Sequence, residues 1–249
     1  MKQKYNIVID LSIFIYANYY IVKKFADVID VEKFCKKLDS QIKNEIHKIS
    51  RFYPIKDIVL CVDSDSFRHN ITNTYKGTRE FNQEISDLKK SVVNEFTHIY
   101  DYSILKIDQL EADDLLFLYS RKHKNTIIVS NDNDCKLMLN QDTLFYKYQT
   151  NQWFTYVEEY SKFDKAEKVL FGCSGDNIER IAPKGKGHKW LKKILNTHVD
   201  RNLSYIYHQI CSEYSISAED LLRNIELTNY NIATYEKYVE NFDKKYQLI

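Results

Sequence analysis

The chain has 249 residues, is 44% hydrophobic and holds 5 Gly and 2 Pro, which predicts one large domain, or a domain with a helical extension, and excludes a flexible linker or low-complexity segment. A formal net charge of +1 argues neither for nor against a polyanionic partner, but its distribution is uneven: acids gather at predicted strand ends, while residues 180–193 are strongly basic. Five cysteines, an odd number without CxxC spacing, exclude a structural zinc framework and fit a reduced, intracellular protein with Cys35 and Cys61 buried.

In chain order, the first strand is Tyr5 to Ile9, running into Asp10. The apolar stretch from Ile7 to Val22 is broken by Asp10 and Asn18 and lacks a small-residue cleavage site, so it is not read as a signal peptide. No uncharged run approaches the ~18 residues of a membrane-spanning helix. Val31, Phe34, Cys35, Leu38, Ile42, Ile46 and Ile49 then recur at steps of three and four, one apolar stripe of a crossover helix. The second strand, Ile58 to Val62, runs into Asp63. A polar and basic excursion follows from Ser64, with Arg68, His69, Tyr75, Lys76 and Arg79, before helical spacing resumes at Phe81, Ile85, Leu88, Val92 and Phe96. Ile104 to Ile107 forms a third strand leading to Glu111, Asp113 and Asp114 at the start of a helix over Leu110 to Tyr119. Thr126 to Ser130 runs into Asp132 and Asp134, and 142–148 adds a further strand. From about Lys162 the pattern is helical, with a domain boundary near 160.

Short β-rich runs alternating with helices predict a parallel sheet whose ligand crevice lies outside the carboxyl ends of its strands. Asp10, Asp63, Glu111, Asp113, Asp114, Asp132 and Asp134 would therefore meet at one edge. Like charges so crowded force protonation unless cations intervene, and oxygen-only ligation favours Mg²⁺ or Mn²⁺. Seven carboxylates can hold two cations ~4 Å apart, one activating water and one supporting the leaving oxygen of a phosphodiester. The competing reading is that each Asp caps a helix or satisfies a turn; it serves for one residue better than for the set. In the polar excursion, Lys76 and Arg79 would neutralise phosphate charge, Tyr75 would stack on an unpaired base, and Arg68 belongs to the same nucleic-acid-contacting segment. Further on, Gly185 and Gly187 would admit a phosphate to backbone N–H groups at the start of a helix, flanked by Arg180, Lys184, Lys186, Lys189, Lys192 and Lys193. That is duplex-backbone contact without base readout; a solvated basic helix face is the plainer alternative.

Tyr75-Lys76-Gly77-Thr78-Arg79 resembles the YKxxR block of the 5′-nuclease superfamily, Leu110-Glu111-Ala112-Asp113-Asp114 its LEADD, and Ser130-Asn131-Asp132-Asn133-Asp134 with Leu137 its SxDxDxxxL. The resemblance spans about residues 5 to 195 and is greatest to the bacteriophage 5′-3′ exonuclease and RNase H branch. It implies an α/β, PIN-like central parallel sheet with flanking helices. Residues 1–160 would form the catalytic core with a basic arch at about 64–98, and 161–249 a helical duplex-binding region with a helix-hairpin-helix-like element. It implies two Mg²⁺ ions, replaceable by Mn²⁺, held by the seven carboxylates and Asp176, with K⁺ at the Gly185–Gly187 hairpin. Lys76 would be catalytic and Arg79 would lie near the scissile phosphate. The implied activity is hydrolysis at 5′ ends or flaps of branched DNA or RNA–DNA hybrid, in primer or flap removal during replication, with replication proteins as partners and a cytoplasmic location, that of the host for a phage-encoded chain.

One departure stands out. Where the family reads GDxxDN, this chain has Gly172-Cys173-Ser174-Gly175-Asp176-Asn177-Ile178-Glu179. Either Cys173 replaces the first Asp and Asp176 is the second, or Asp176 is the first and Glu179 replaces the second. A thiol is a poor Mg²⁺ ligand, so the first register weakens a metal site that the second leaves whole. Two other functions are compatible with the residues: a PIN-like single-strand ribonuclease, against which the basic hairpin argues, and a non-catalytic binder of junction DNA, against which Asp132 and Asp134 argue.

Overall fold

The computed structural model describes residues 3–100 and 102–228, together with Tyr230 and Tyr235. The chain forms two compact units, one containing the sheet, the other made of Phe67–Glu80 and Val157–Asn231.

The sheet unit holds β1 (Tyr5–Asp10), β2 (Ile55–Cys61), β3 (Ser103–Leu105), β4 (Thr126–Ser130), β5 (Thr143–Lys147) and β6 (Gln152–Phe154) in the order β3-β2-β1-β4-β5-β6. The first five run parallel and β6 is antiparallel to β5. The chain builds outward from β1 through β2 to β3, then returns to the other side of β1 with β4. That reversal is a topological switch point, where open α/β sheets bind ligands. Ile7, Val8 and Ile9 are fully buried, as expected of a central strand covered on both faces.

Four helices accompany these strands: α1 (Leu11–Lys23), α2 (Val31–Ser50), α3 (Gln83–His98) and α4 (Ala112–Lys122). The expected α2 stripe is the buried one, with Phe34, Cys35, Leu38, Ile42 and Ile49 in the main core. Asp30 caps α2 by accepting the Lys33 N–H at 3.1 Å. Asp39 and Glu45 are buried on the same helix, where the hydroxyls of Tyr102 and Tyr146 donate to them at 2.9 and 3.1 Å. Phe81 does not belong to the α3 stripe: Asn82 caps the helix through the Ile85 N–H, so Phe81 precedes it and is exposed. The strand β6 has no counterpart in the sequence pattern, because its three residues hold no β-branched apolar run such as the one that marks β3.

The second unit packs α5 (Glu158–Phe171), α6 (His188–Thr197), α7 (Leu203–Tyr214) and α8 (Ala218–Thr228) around Ala166, Val169, Leu170, Leu191, Ile206, Tyr207 and Ile210. The arch expected at 64–98 divides here: residues 67–80 group with these helices, whereas α3 belongs to the sheet unit. Apolar anchoring explains this. Tyr75 is buried with Ile178 and Leu227, with Ile71 and Cys173 against them.

Candidate functional site

The carboxyl edge of the sheet gathers the acids. Asp10 ends β1, Asp63 follows β2 by two residues, and Asp132 follows β4 by two. Their fields overlap: burial, then the charges of Asp63 and Asp132, push the Asp10 carboxyl up to about 7. Beside them Glu111, Asp113 and Asp114 bring carboxylate oxygens within 4.8 Å of one another. Asp114 is fully buried and Glu111 nearly so.

Hydrogen bonds hold these carboxylates in place. Asp10 accepts the Ile13 N–H at 3.1 Å, capping α1, and the Ser130 hydroxyl at 3.3 Å. Asp114 accepts the Glu111 N–H at 3.0 Å, and the Ser66 hydroxyl donates to Glu111 at 3.0 Å. Asp132 accepts the Asp134 N–H at 2.8 Å at the start of a short 3₁₀ turn, Asn133–Met138. Capping leaves these groups room to ligate a cation. A carboxylate offers about four lone-pair sites, so one backbone contact orients it without using it up.

Asp63 differs from Asp10 although both are shielded. Its Oδ1 accepts the Ala112 N–H at 2.8 Å, and its Oδ2 pairs with the Lys89 ammonium at 2.9 Å. Burial works to raise its carboxyl, but the Lys89 charge and the hydrogen bonds from Ser12 and Ala112 outweigh it and hold the group below its ordinary value. Sequence reasoning missed Lys89. The available signal was its place on α3, four residues after Ile85 and three before Val92, both buried; a lysine at that spacing borders the apolar face instead of the solvent face. Ser12, Ser66 and Ser130, which bond these acids or the backbone beside them, were also missed.

Asp176, the remaining acid candidate, lies in the second unit. There Cys173 and Ile178 pair across a tight hairpin. Gly172 permits this turn: its φ is +69°, and a Cβ would sit 2.2 Å from the Ile178 carbonyl oxygen. The side chain beside Asp176 is that of Cys173, whose thiol is raised by burial, against the pull of Lys168. Glu179 is exposed and faces Arg223 at 3.7 Å. Of the two residues, Cys173 and not Glu179 lies beside Asp176.

Two expected nucleic-acid contacts are corrected. Tyr75 is 4% exposed and part of a small core, so it presents no free face to a base. Arg68 is 3% exposed, and its Nε donates to the Leu227 carbonyl at 3.0 Å. Both stabilise the second unit, because an aromatic ring and a guanidinium stem bury more area packed than solvated. By contrast Lys184, Gly185 and Lys189 are exposed, and Lys186 and Gly187 share their loop at the start of α6. Gly185 takes a φ of +79°, a conformation other residues rarely adopt. Lys76 is half-buried and Arg79 exposed.

The switch-point acid cluster on a mostly parallel sheet defines the PIN-like 5′-nuclease fold class. Residues 6–167 match the family model described as the 5′-3′ exonuclease, N-terminal resolvase-like domain, and the chain belongs to that family. Among solved structures it is similar to the bacteriophage T5 D15 protein co-crystallised with metal ions, at 18% identity and a TM-score of 0.67, over 98% of this chain and 94% of that one. A complex of the T5 D15 flap endonuclease with DNA and metal ions matches at 16% identity and a TM-score of 0.61, over 98% and 94%. Human GEN1 bound to Holliday junction DNA matches at 14% and 0.57, over 95% of this chain and 60% of that one. At these identities the structural likeness establishes the fold.

The donor set fits a hard divalent cation. Its side chains offer oxygen only, as Mg²⁺ and Mn²⁺ prefer, and the raised Asp10 carboxyl marks a crowd of negative charge that a cation would relieve. Among the described residues no helix is long and apolar enough to cross a membrane.

Proposed function

We propose that the protein is a structure-specific 5′-nuclease that hydrolyses phosphodiester bonds at 5′ ends or flaps of branched DNA or RNA–DNA hybrid. The observation that carries this reading is the convergence of Asp10, Asp63, Asp132 and the Glu111–Asp113–Asp114 group at the switch point of the sheet. Those residues, with Asp134, would hold two Mg²⁺ ions, for which Mn²⁺ substitutes. Bound there, the cations supply water activation and neutralise charge developing on the phosphate. The protein's own groups do the rest. Ser130 and the Ile13 N–H orient Asp10, and the Ala112 N–H orients Asp63. Lys76 and Arg79 bring positive charge to a substrate phosphate. The exposed Lys184, Lys189, Lys192 and Lys193, with the N–H groups at the start of α6, grip duplex backbone irrespective of sequence. Removal of flaps or RNA primers during replication is the role this specificity serves.

The test is cleavage of an end-labelled 5′-flap duplex in Mg²⁺, beside a blunt duplex, a free single strand and the matching RNA. Cutting near the flap junction supports the proposal. Cutting confined to single-stranded RNA would replace it with a ribonuclease, and tight flap binding without cutting in Mg²⁺ or Mn²⁺ would replace it with a junction binder.

A further inference from the structure

We propose that Asp176 is a positioning residue that clasps the Tyr75–Arg79 segment to the Cys173–Ile178 hairpin and ligates no divalent cation; the second half rests on reading the strand-edge carboxylates as the cation site. Both carboxylate oxygens already face fixed positive charge. Arg79 Nη2 lies 2.8 Å from Oδ1, and Lys168 Nζ lies 3.7 Å from Oδ2. A divalent cation would have to displace both and then bind against them. The hairpin also offers no second carboxylate for a chelate, since Cys173 stands beside Asp176 and Glu179 turns to Arg223. A single carboxylate between two cationic side chains is a poor site for Mg²⁺.

The same hairpin holds the segment by its backbone. The Lys76 N–H donates to the Asp176 carbonyl at 3.0 Å, Arg79 Nε donates to the Gly175 carbonyl at 3.2 Å, and the Thr78 hydroxyl donates to Asn177 Oδ1 at 2.7 Å. Lys76 has a φ of +51°, which an unbranched L-residue adopts only at a cost. Its N–H bond to Asp176 and the Arg79 ion pair lie on either side of Gly77 and Thr78, so they brace that strained turn from both ends. Lys168, 15% exposed on α5, is the third member of the clasp; nothing in the family motifs points to it.

Two measurements test the halves separately. Mn²⁺ titration followed by electron paramagnetic resonance counts bound ions in the wild type, Asp176→Asn and Asp132→Asn. The wild type and Asp176→Asn should bind the same number with affinities within about twofold, while Asp132→Asn loses at least one. Loss of an ion in Asp176→Asn overturns the proposal. Failure of the wild type to bind Mn²⁺, or an unchanged count in Asp132→Asn, overturns the strand-edge reading instead. Amide hydrogen exchange then reads the clasp whatever the ion count. At Lys76 and Arg79 exchange should quicken about tenfold in Asp176→Asn and stay closer to wild type in Asp176→Glu, which keeps the negative charge facing Arg79 and Lys168. Unchanged exchange in Asp176→Asn, or equal quickening in Asp176→Glu, overturns the clasp.

Discussion

At the carboxyl edge of the sheet, Asp10 is buried beside Asp63 and Asp132, and its carboxyl is pushed up to about 7. In the helical unit, Asp176 is also shielded, and burial again works to raise it, but Lys76, Lys168 and Arg79 hold it below its ordinary value. Both are aspartates that burial works to raise, and they end with opposite shifts. The difference lies in who supplies the positive charge. Around Asp176 the protein has built its own cations. Asp10 instead faces carboxylates, and a solute cation is the natural counterweight to that charge. An aspartate in a motif is therefore not yet a metal ligand: Asp63 has one cationic neighbour but lies against the carboxylate of Asp10, whereas Asp176 stands between Arg79 and Lys168.

The sharpest way to break this contrast is at the edge itself. Asp132→Asn should lower flap cleavage on the order of a thousandfold, with flap affinity nearly unchanged, because the group serves charge balance in the transition state and not duplex contact. Single-turnover rates and filter binding check it, and surviving activity would remove Asp132 from the site. Next in size is Tyr75→Ala. Its ring is core, so the variant should lose about 3 kcal/mol of stability by denaturant titration, while Tyr75→Phe keeps flap affinity. A stable Tyr75→Ala with weakened binding would restore the stacking role. Lys76→Ala should lower turnover roughly tenfold or more while changing flap affinity little; equal losses in both would leave Lys76 a plain phosphate contact. The smallest effect is expected of Lys89→Met. Removing the ammonium that competes for Asp63 should tighten Mn²⁺ binding by about 1 kcal/mol, read by calorimetry. Weaker binding would mean that Lys89 is needed to shape the cluster.

Several parts of the site are legible in the sequence alone, for a definite reason. A β-run ending in Asp places that Asp at the strand's carboxyl end whatever the strand order, and parallel strands put all such ends on one edge. That logic places Asp10, Asp63 and Asp132 correctly relative to their own strands. It fails at Tyr75 and Arg68. A polar stretch without periodicity gives no sign that one ring will insert between Ile178 and Leu227, about a hundred residues or more away in the chain. Phe81 fails for a smaller reason: its spacing suits the helix, but the Asn82 cap starts α3 after it.

By itself the sequence determined the α/β alternation, the apolar stripe of α2, the strand-end acids and the basic stretch at the start of α6, all of which follow from local pattern and backbone geometry. Only the tertiary structure decided the strand order with its switch point at β1 and β4, the grouping of residues 67–80 with the C-terminal helices, the Lys89–Asp63 pair and the neutralised Asp176. Each of these is a meeting of groups far apart in the chain. Burial and charge act through space, so their balance is settled only when the chain has folded.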